Sequence, residues 1–304
     1  MHSIVIDLRG DVGRNLELAN EVARDGTDSA DPQLTSWSYQ IRGYAELACG
    51  PLDKTVAHLR EGVALAAKIP AWDNFNFQMS LLGKGLVLQG KQDEALLVYQ
   101  EALRVMEAQN LKLAFDQVEV FTGLASCHLA LVEGQQGQAR ATALRAALAS
   151  STKALKLARR QPAWLAQALR LAGTAQWFSG QEDLAKRHWH ESLALSQQAG
   201  FVRERAKTLF EMGQRTADQG LVAQSAEVFS QTGAKVSLAF SLSALARLHG
   251  QSNTDIEATL EHCTHAIAAL QAVDAHAELA IARAQHEQLK SLLREPITPD
   301  RLVA

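Results

Sequence analysis

The chain has 304 residues, of which 47% are hydrophobic, and its formal net charge at pH 7 is −3. This length can bury a sizeable core, while the small net charge excludes a general attraction to nucleic acid or to a membrane surface. Three widely separated cysteines are typical of a reducing compartment without a disulfide framework, and no apolar run approaches the ~18 residues of a membrane span. We therefore expect a cytoplasmic protein.

Glycines recur along the chain with a spacing of about 40 residues, which predicts a repeat array. Four of them each follow another glycine by seven residues and precede a bulky residue by nine. Proline is scarce and no strand-like alternation persists, so the sequence predicts an all-α protein. The four glycines and their bulky partners are Gly50 with Leu59, Gly90 with Tyr99, Gly180 with Trp189, and Gly220 with Phe229.

The N-terminal residues fit only half of a repeat unit. Gly10, Asn15 and Ala19 match a turn and a second helix, but the matching first helix would need residues before Met1. An unpaired hairpin helix leaves an apolar stripe exposed. The favoured interpretation is a C-terminal piece of a longer protein, and the alternative is that the short N-terminal segment folds over as a cap.

The second full unit has the clearest helical hairpin pattern. Leu82 and Leu86 put apolar side chains on one face of a helix, and Gly90 ends that helix, because glycine readily takes a left-handed conformation. Asp93 and Glu94 then suit the first turn of the next helix, where negative charge meets exposed amides. Each unit is therefore predicted to be two antiparallel helices joined by a tight turn.

This unit also resembles a known family. The segment QGKQDEALLVYQEALRV, from Gln89 to Val105, resembles the turn and second helix of a tetratricopeptide repeat (TPR), and the pattern returns in SGQEDLAKRHWHESLAL from Ser179. The resemblance implies a right-handed α-solenoid of about six TPR-like hairpins. Because the period exceeds the ~34 residues usual for the motif, the array also resembles the C-terminal arrays of two groups of bacterial signalling proteins. These are the maltose-regulator-type activators built on STAND ATPases and the class III cyclase–ATPase–TPR proteins.

The repeat register divides the chain into three parts. Residues 1–26 form the half-repeat, residues 27–275 form the array, and residues 276–304 form a terminal helix with a frayed tail. Near residues 134–146 the register slips, which indicates either an insertion or an extended helix.

The first helix of each hairpin is expected to line the inner, concave wall of such an array. Aromatic side chains supply contact area there, and lysine or arginine can take a carboxylate or phosphate. The alternative is that many of these side chains only pack against neighbouring hairpins. The predicted inner-wall residues are Trp37, Tyr44, Phe77, Lys84, Arg170, Trp177, Phe178, Lys207, Phe210 and Gln214.

A second candidate surface is basic. Residues 134 to 181 contain several cations and no acidic residue. This composition predicts a docking surface for an acidic partner or for the acidic end of a second copy. A solvated face is the alternative, and nucleic acid is disfavoured because no aromatics are interleaved. The cations of this surface are Arg140, Arg145, Lys153, Lys156, Arg159 and Arg160.

Signals for catalysis are weak. The segment GLVLQGKQ lacks the serine or threonine that a phosphate-binding loop needs for magnesium. His262 and His265 share a helix face, but no ligand cluster completes a metal site, and no nucleophile–base arrangement stands out. We therefore predict no catalytic residues, no metal and no cofactor, with a metal-dependent enzyme around His262 as the rival interpretation.

The sequence favours a non-catalytic scaffold for protein interaction or ligand sensing in a bacterial signalling system. Its partner is expected to be a protein or peptide, with an ATPase, a cyclase or a DNA-binding domain of the same or another chain as candidates. A self-contained peptide- or effector-binding regulator is the alternative, and a homo-oligomer is compatible with either.

Overall fold

The computed structural model describes residues 7, 9–111, 114–252 and 256–294, without the side chains of residues 114–116, 252 and 292–294. Within these ranges the protein consists of fourteen α-helices and contains no strand, which confirms the all-α prediction. The predicted frayed tail lies outside the described residues. The helices are α1 (Val12–Asp28), α2 (Pro32–Cys49), α3 (Leu52–Ala66), α4 (Trp72–Leu88), α5 (Gln92–Ala108), α6 (Ala114–Gly134), α7 (Gly137–Ala158), α8 (Pro162–Phe178), α9 (Glu182–Ala199), α10 (Val202–Thr216), α11 (Gln219–Gln231), α12 (Lys235–Ser252), α13 (Ile256–Ala272) and α14 (His276–Arg294).

Consecutive helices pack against each other along the whole described chain, as in a helical repeat. Six hairpins run from α2–α3 to α12–α13, with α1 before them and α14 after them. The turns between paired helices use left-handed backbone where a glycine permits it, with φ of +80° at Gly90 and +82° at Gly180. Asp93 and Glu94 lie in the first turn of α5, where their charge suits the exposed amides.

Glycines inside the first helices allow the close approach that the spacing predicts. A Cβ atom on Gly83 would lie 2.4 Å from the ring of Tyr99, and one on Gly123 would lie 2.3 Å from the Tyr99 hydroxyl. The fully buried Tyr99 therefore fits between two successive hairpins. Gly173 approaches Trp189 in the same way, with its Cβ position 2.6 Å from the indole. A side chain at these glycines would separate the helices.

The hairpin of α10 and α11 turns earlier than the glycine spacing suggests. Gly220 lies inside α11, and Ala217 takes the left-handed conformation with φ +55°. Asp218 explains the shift, because its side chain accepts a hydrogen bond from the Leu221 amide at 3.1 Å and so caps α11.

The irregular stretch near residues 134–146 is mostly helical. Helices α6 and α7 have 21 and 22 residues, and only a short connection separates them. The small residues Ala147, Ser151 and Ala154 are buried along α7 and let it pack closely on its neighbours.

The coil of hairpins overlaps itself. Three sites in the first part of the chain each contact the unit that lies five hairpins further along the chain. The backbone amide of Leu52 donates to the carbonyl of Val273 at 2.9 Å. The two flanking contacts are Gly10 with Thr232 and Gly90 with Ala277.

An apolar cluster fills this overlap. We call this cluster the seam, and it includes Leu52, Val236, Leu270 and Leu279. Leu52 is fully buried there beside Val236, Leu270 and Leu279. Burial of such a leucine stabilises a fold by about 1.5–3 kcal/mol, so the seam holds the first and last hairpins together. Among the described helices, none combines the length and apolar character needed to cross a membrane.

A candidate binding cavity

A partly open cavity of about 310 Å³ lies along the inner wall. The first helices of all six hairpins contribute to its lining, since side chains of α2, α4, α6, α8, α10 and α12 all reach it. Much of the wall is apolar. The large apolar side chains in it include Leu47, Leu81, Val87, Trp164, Phe210, Phe229 and Phe240.

Ion pairs connect neighbouring hairpins across the inner wall. Arg170 Nε of α8 donates to Glu204 Oε1 of α10 at 2.6 Å, and both side chains are buried. Lys84 of α4 pairs with Glu119 of α6. The carboxylate of Glu119 also accepts from the indole nitrogen of Trp164 at 2.7 Å. These charges are satisfied by each other, as buried charges must be.

The N-terminal part of the described chain joins the same wall. Arg203 of α10 forms an ion pair with Asp7, and Asp7 lines the cavity. The guanidinium of Arg203 is buried, and its Nε has no hydrogen-bond partner within the described ranges. The Tyr44 hydroxyl is likewise buried without one. Burial, and to a smaller degree the charge of Glu119, raises the pKa of this phenol well above its usual value.

Lys207 differs from the other cations of the cavity. It is half-buried on α10, and no acid or acceptor of the described chain lies within ion-pair or hydrogen-bond distance of its ammonium. Burial, followed by the positive charge of Arg203, lowers the pKa of Lys207 to about 8. Glu211, one turn further along, accepts from Thr174 Oγ1 at 3.2 Å instead.

A smaller cavity of about 190 Å³ adjoins the first and shares Arg170, Phe210 and Glu211 with it. Gln214 lines this second space, and its amide oxygen accepts from Arg247 at 3.2 Å. Further ion pairs surround it, joining Arg215 to Glu133 and Arg247 to Glu278.

Six of the ten predicted inner-wall residues come together at these cavities. Five line the larger one, namely Tyr44, Lys84, Arg170, Lys207 and Phe210, and Gln214 lines the smaller one.

The other four lie elsewhere. Trp37 is 45% exposed, whereas Phe77 is buried in the main core. Trp177 stacks at 5.7 Å on Trp189, and Phe178 lies beneath the guanidinium of Arg215 at 4.7 Å.

Sequence reasoning missed the acids of the cavity and two further residues of its lining. The missed residues are Asp7, Glu119, Trp164, Arg203, Glu204 and Glu211. One signal for two of them was present, because Arg203 and Glu204 lie one helical turn before Lys207 on the same face of α10.

The predicted basic surface lies on the outer face of α7 and the turn after it. Five of its six cations are exposed, and Arg140 is half-buried. Arg140 lies 5.8 Å from the ring of Phe178, and Lys153 lies at the same distance from that of Phe121. None of the six forms an ion pair with another described residue.

His262, the centre of the rival interpretation, contacts a histidine of the preceding helix. It stacks on His249 with ring centroids 4.4 Å apart, and burial followed by the charge of His262 lowers the pKa of His249. In the described ranges, one group of three side chains has the spacing for a metal ion. It consists of Asp53, Asp274 and His276 at the outer edge of the seam, with ligand atoms within 4.8 Å of one another.

In comparisons with known proteins, no family model matches this chain, and no curated protein matches it either.

Proposed function

We propose that this protein is a non-catalytic ligand sensor of the TPR-like class, a right-handed α-solenoid that acts in a cytoplasmic bacterial signalling system. The observation that carries the proposal is the cavity of about 310 Å³ lined by six successive hairpins. A ligand in this space would touch several hairpins at once. It would therefore favour one relative arrangement of them over another, and the equilibrium would shift toward that arrangement.

The size of the cavity favours a small molecule as the ligand. Small-molecule pockets span about 300–1,000 Å³, and this one falls at the lower end. A partner helix is about 10 Å across with its side chains and is too large for a space of about 310 Å³. A protein partner would instead meet an outer surface.

We place the partner contact on α7. Its exposed cations have no counter-ions among the described residues, so an acidic surface of an ATPase, a cyclase or a DNA-binding domain would complement them. Such a domain would belong to the same chain or to another. The inner ion pairs connect the hairpin of α6 and α7 to its neighbours through Lys84 and Glu119, which gives the cavity a physical route to this surface.

The cysteines agree with the proposed compartment. Cys49, Cys127 and Cys263 are all free thiols, as expected where the environment is reducing.

The proposal is tested by equilibrium dialysis of the protein against a metabolite extract, with bound molecules identified by mass spectrometry. Ser126 lines both cavities, so Ser126→Phe should fill the space and abolish enrichment of the ligand. Ser291 is exposed on α14, and Ser291→Phe is the matched control that should leave enrichment unchanged. If no small molecule is enriched, or if Ser126→Phe retains all that the unmodified protein binds, the cavity is not a ligand site.

A further inference from the structure

We infer that the cavity takes a small molecule with a single carboxylate and an apolar body, and that the Lys207 ammonium binds the carboxylate. This inference rests on the proposed function and specifies its ligand. Four features of the cavity support it: the ion pairing of its wall, the access of Lys207 to the open space, the apolar surroundings, and the electrostatics of the lysine.

The larger cavity is lined by four cations and four acids, and their pairing leaves one cation without a partner among the described residues. Three of the four cations that line the larger cavity are paired with acids, as Lys84–Glu119, Arg170–Glu204 and Arg203–Asp7. The fourth lining acid, Glu211, lies 3.5 Å from Arg215, which belongs to the smaller cavity. Lys207 alone among these cations has no acid within ion-pair distance in the described chain.

The ammonium of Lys207 is also a hydrogen-bond donor that is accessible from the cavity. The Tyr44 hydroxyl and Arg203 Nε have no hydrogen-bond partners either, but both atoms are covered by protein. The Lys207 side chain lines the cavity and remains half-buried. An anion in the space can therefore reach the ammonium of Lys207.

The remaining wall suits an apolar body. Trp164, Phe210 and Phe240 lie along it, and the neutral polar groups of Gln167 and Ser126 add hydrogen-bonding capacity without charge. Pockets for small molecules combine mostly apolar walls with a few placed polar groups in this way.

The unpaired ammonium of Lys207 favours a carboxylate over a phosphate. A phosphate monoester carries about −1.5 to −2 charges at pH 7, so it would leave excess negative charge in a cavity already lined by Glu119, Glu204 and Glu211. A carboxylate carries one charge and balances Lys207 fully. An uncompensated charge in such a site is costly, which makes the monoanion the better fit.

Binding should also change the protonation of Lys207. In the empty cavity its pKa is lowered to about 8 by burial and then by Arg203. A carboxylate within ~4–6 Å favours the charged form of a lysine and raises its pKa. The complex should therefore take up protons on binding at a pH just above 8, and a neutral ligand should not cause this uptake.

The experiment compares carboxylates with alcohols of the same shape by titration calorimetry. The probes are octanoate, phenylbutyrate and indolepropionate, each paired with the corresponding alcohol, and octyl phosphate. At least one carboxylate should bind roughly tenfold or more tightly than its alcohol, since a charge-assisted hydrogen bond is worth that much. At about pH 8.5, repeating the titration in buffers of different ionisation enthalpy should reveal proton uptake.

Variants at Lys207 separate recognition from folding. Lys207→Met should remove the preference for the carboxylate, and Lys207→Arg should keep it because the charge is retained. Lys68 is exposed just after α3, and Lys68→Met should change nothing. Circular dichroism checks that each variant is folded.

The inference is overturned if no carboxylate is preferred over its alcohol, if Lys207→Met keeps the preference, or if octyl phosphate binds more tightly than octanoate. A neutral or cationic molecule found in the dialysis experiment would also overturn it, while leaving the ligand-sensing function in place.

Discussion

Helices α10 and α7 both carry several cations, but they place them in opposite environments. Arg203 and Lys207 of α10 face the cavity, one paired with Asp7 and the other unpaired. Most cations of α7 point to solvent and pair with no described acid. In water a lone cation costs little, whereas inside a protein it needs a partner. The contrast shows that burial, and not the number of basic residues, decides which cations need a partner.

The largest expected effect comes from breaking a buried pair of the inner wall. Glu204→Gln leaves the charge of Arg170 uncompensated, and removing one partner of a buried ion pair costs about 3–5 kcal/mol. Urea unfolding followed by circular dichroism measures the loss. Arg145→Gln on α7 is the control, and its effect should stay within about 0.5 kcal/mol. Similar losses for the two variants would mean that the inner and outer cations are equivalent.

An intermediate effect is expected from the unpaired lysine, and it depends on pH. The pKa of Lys207 is about 8 in the folded protein and 10.5 for the free side chain, so the unfolded chain binds more protons between these values. The free energy of unfolding should therefore rise with pH above 8, by about 2 kcal/mol at about pH 9.5.

Comparison with Lys207→Met isolates this contribution. The variant should be more stable than the unmodified protein at pH 7, because it buries no charge, and its advantage should shrink as the pH rises. Lys156→Met should show no such change. Parallel pH profiles for the unmodified protein and Lys207→Met would show that the lysine is solvated like the cations of α7.

The smallest effect is expected on α7 itself. Lys153→Gln, Lys156→Gln and Arg159→Gln should each change the free energy of unfolding by no more than about 0.5 kcal/mol, as is usual for exposed side chains. Their thermal unfolding should track that of the unmodified protein. A loss above about 1 kcal/mol for any of them would mean that its side chain makes a stabilising interaction like the ion pairs of the cavity wall, although it lies on the outer face.

Local features of the fold were predictable because they depend on spacing. Gly83 and Tyr99 lie within one hairpin, and a helix pair that approaches closely at a glycine can be inferred from their positions alone. The same register put Lys84 and Lys207 on the inner helices, where the cavity is found.

The extent of the cavity along each helix was not predictable in this way. Phe77 lies two turns before Lys84 on α4, nearly on the same face, yet it is buried in the main core. Most of the first half of α4 is buried, so only its later part faces open space. How far neighbouring hairpins cover a helix depends on the curvature of the array, which no single repeat contains.

The contact between the first and last hairpins could not be predicted from the local sequence either. Leu52 resembles any apolar residue at the start of a helix, and nothing near it in sequence indicates that it bonds to Val273. The acids of the cavity were missed for a related reason, since Glu119 pairs with residues of two other hairpins.

The seam has a consequence for how the chain matures during synthesis. In an open array each repeat is completed by its neighbour, and folding can spread steadily along the chain. Here Leu52 emerges from the ribosome long before Val273 and Leu270 exist to cover it. Contacts between such distant segments form slowly, so formation of the seam should be a late step in folding. Until then, the early hairpins expose the apolar side chains that the seam later buries.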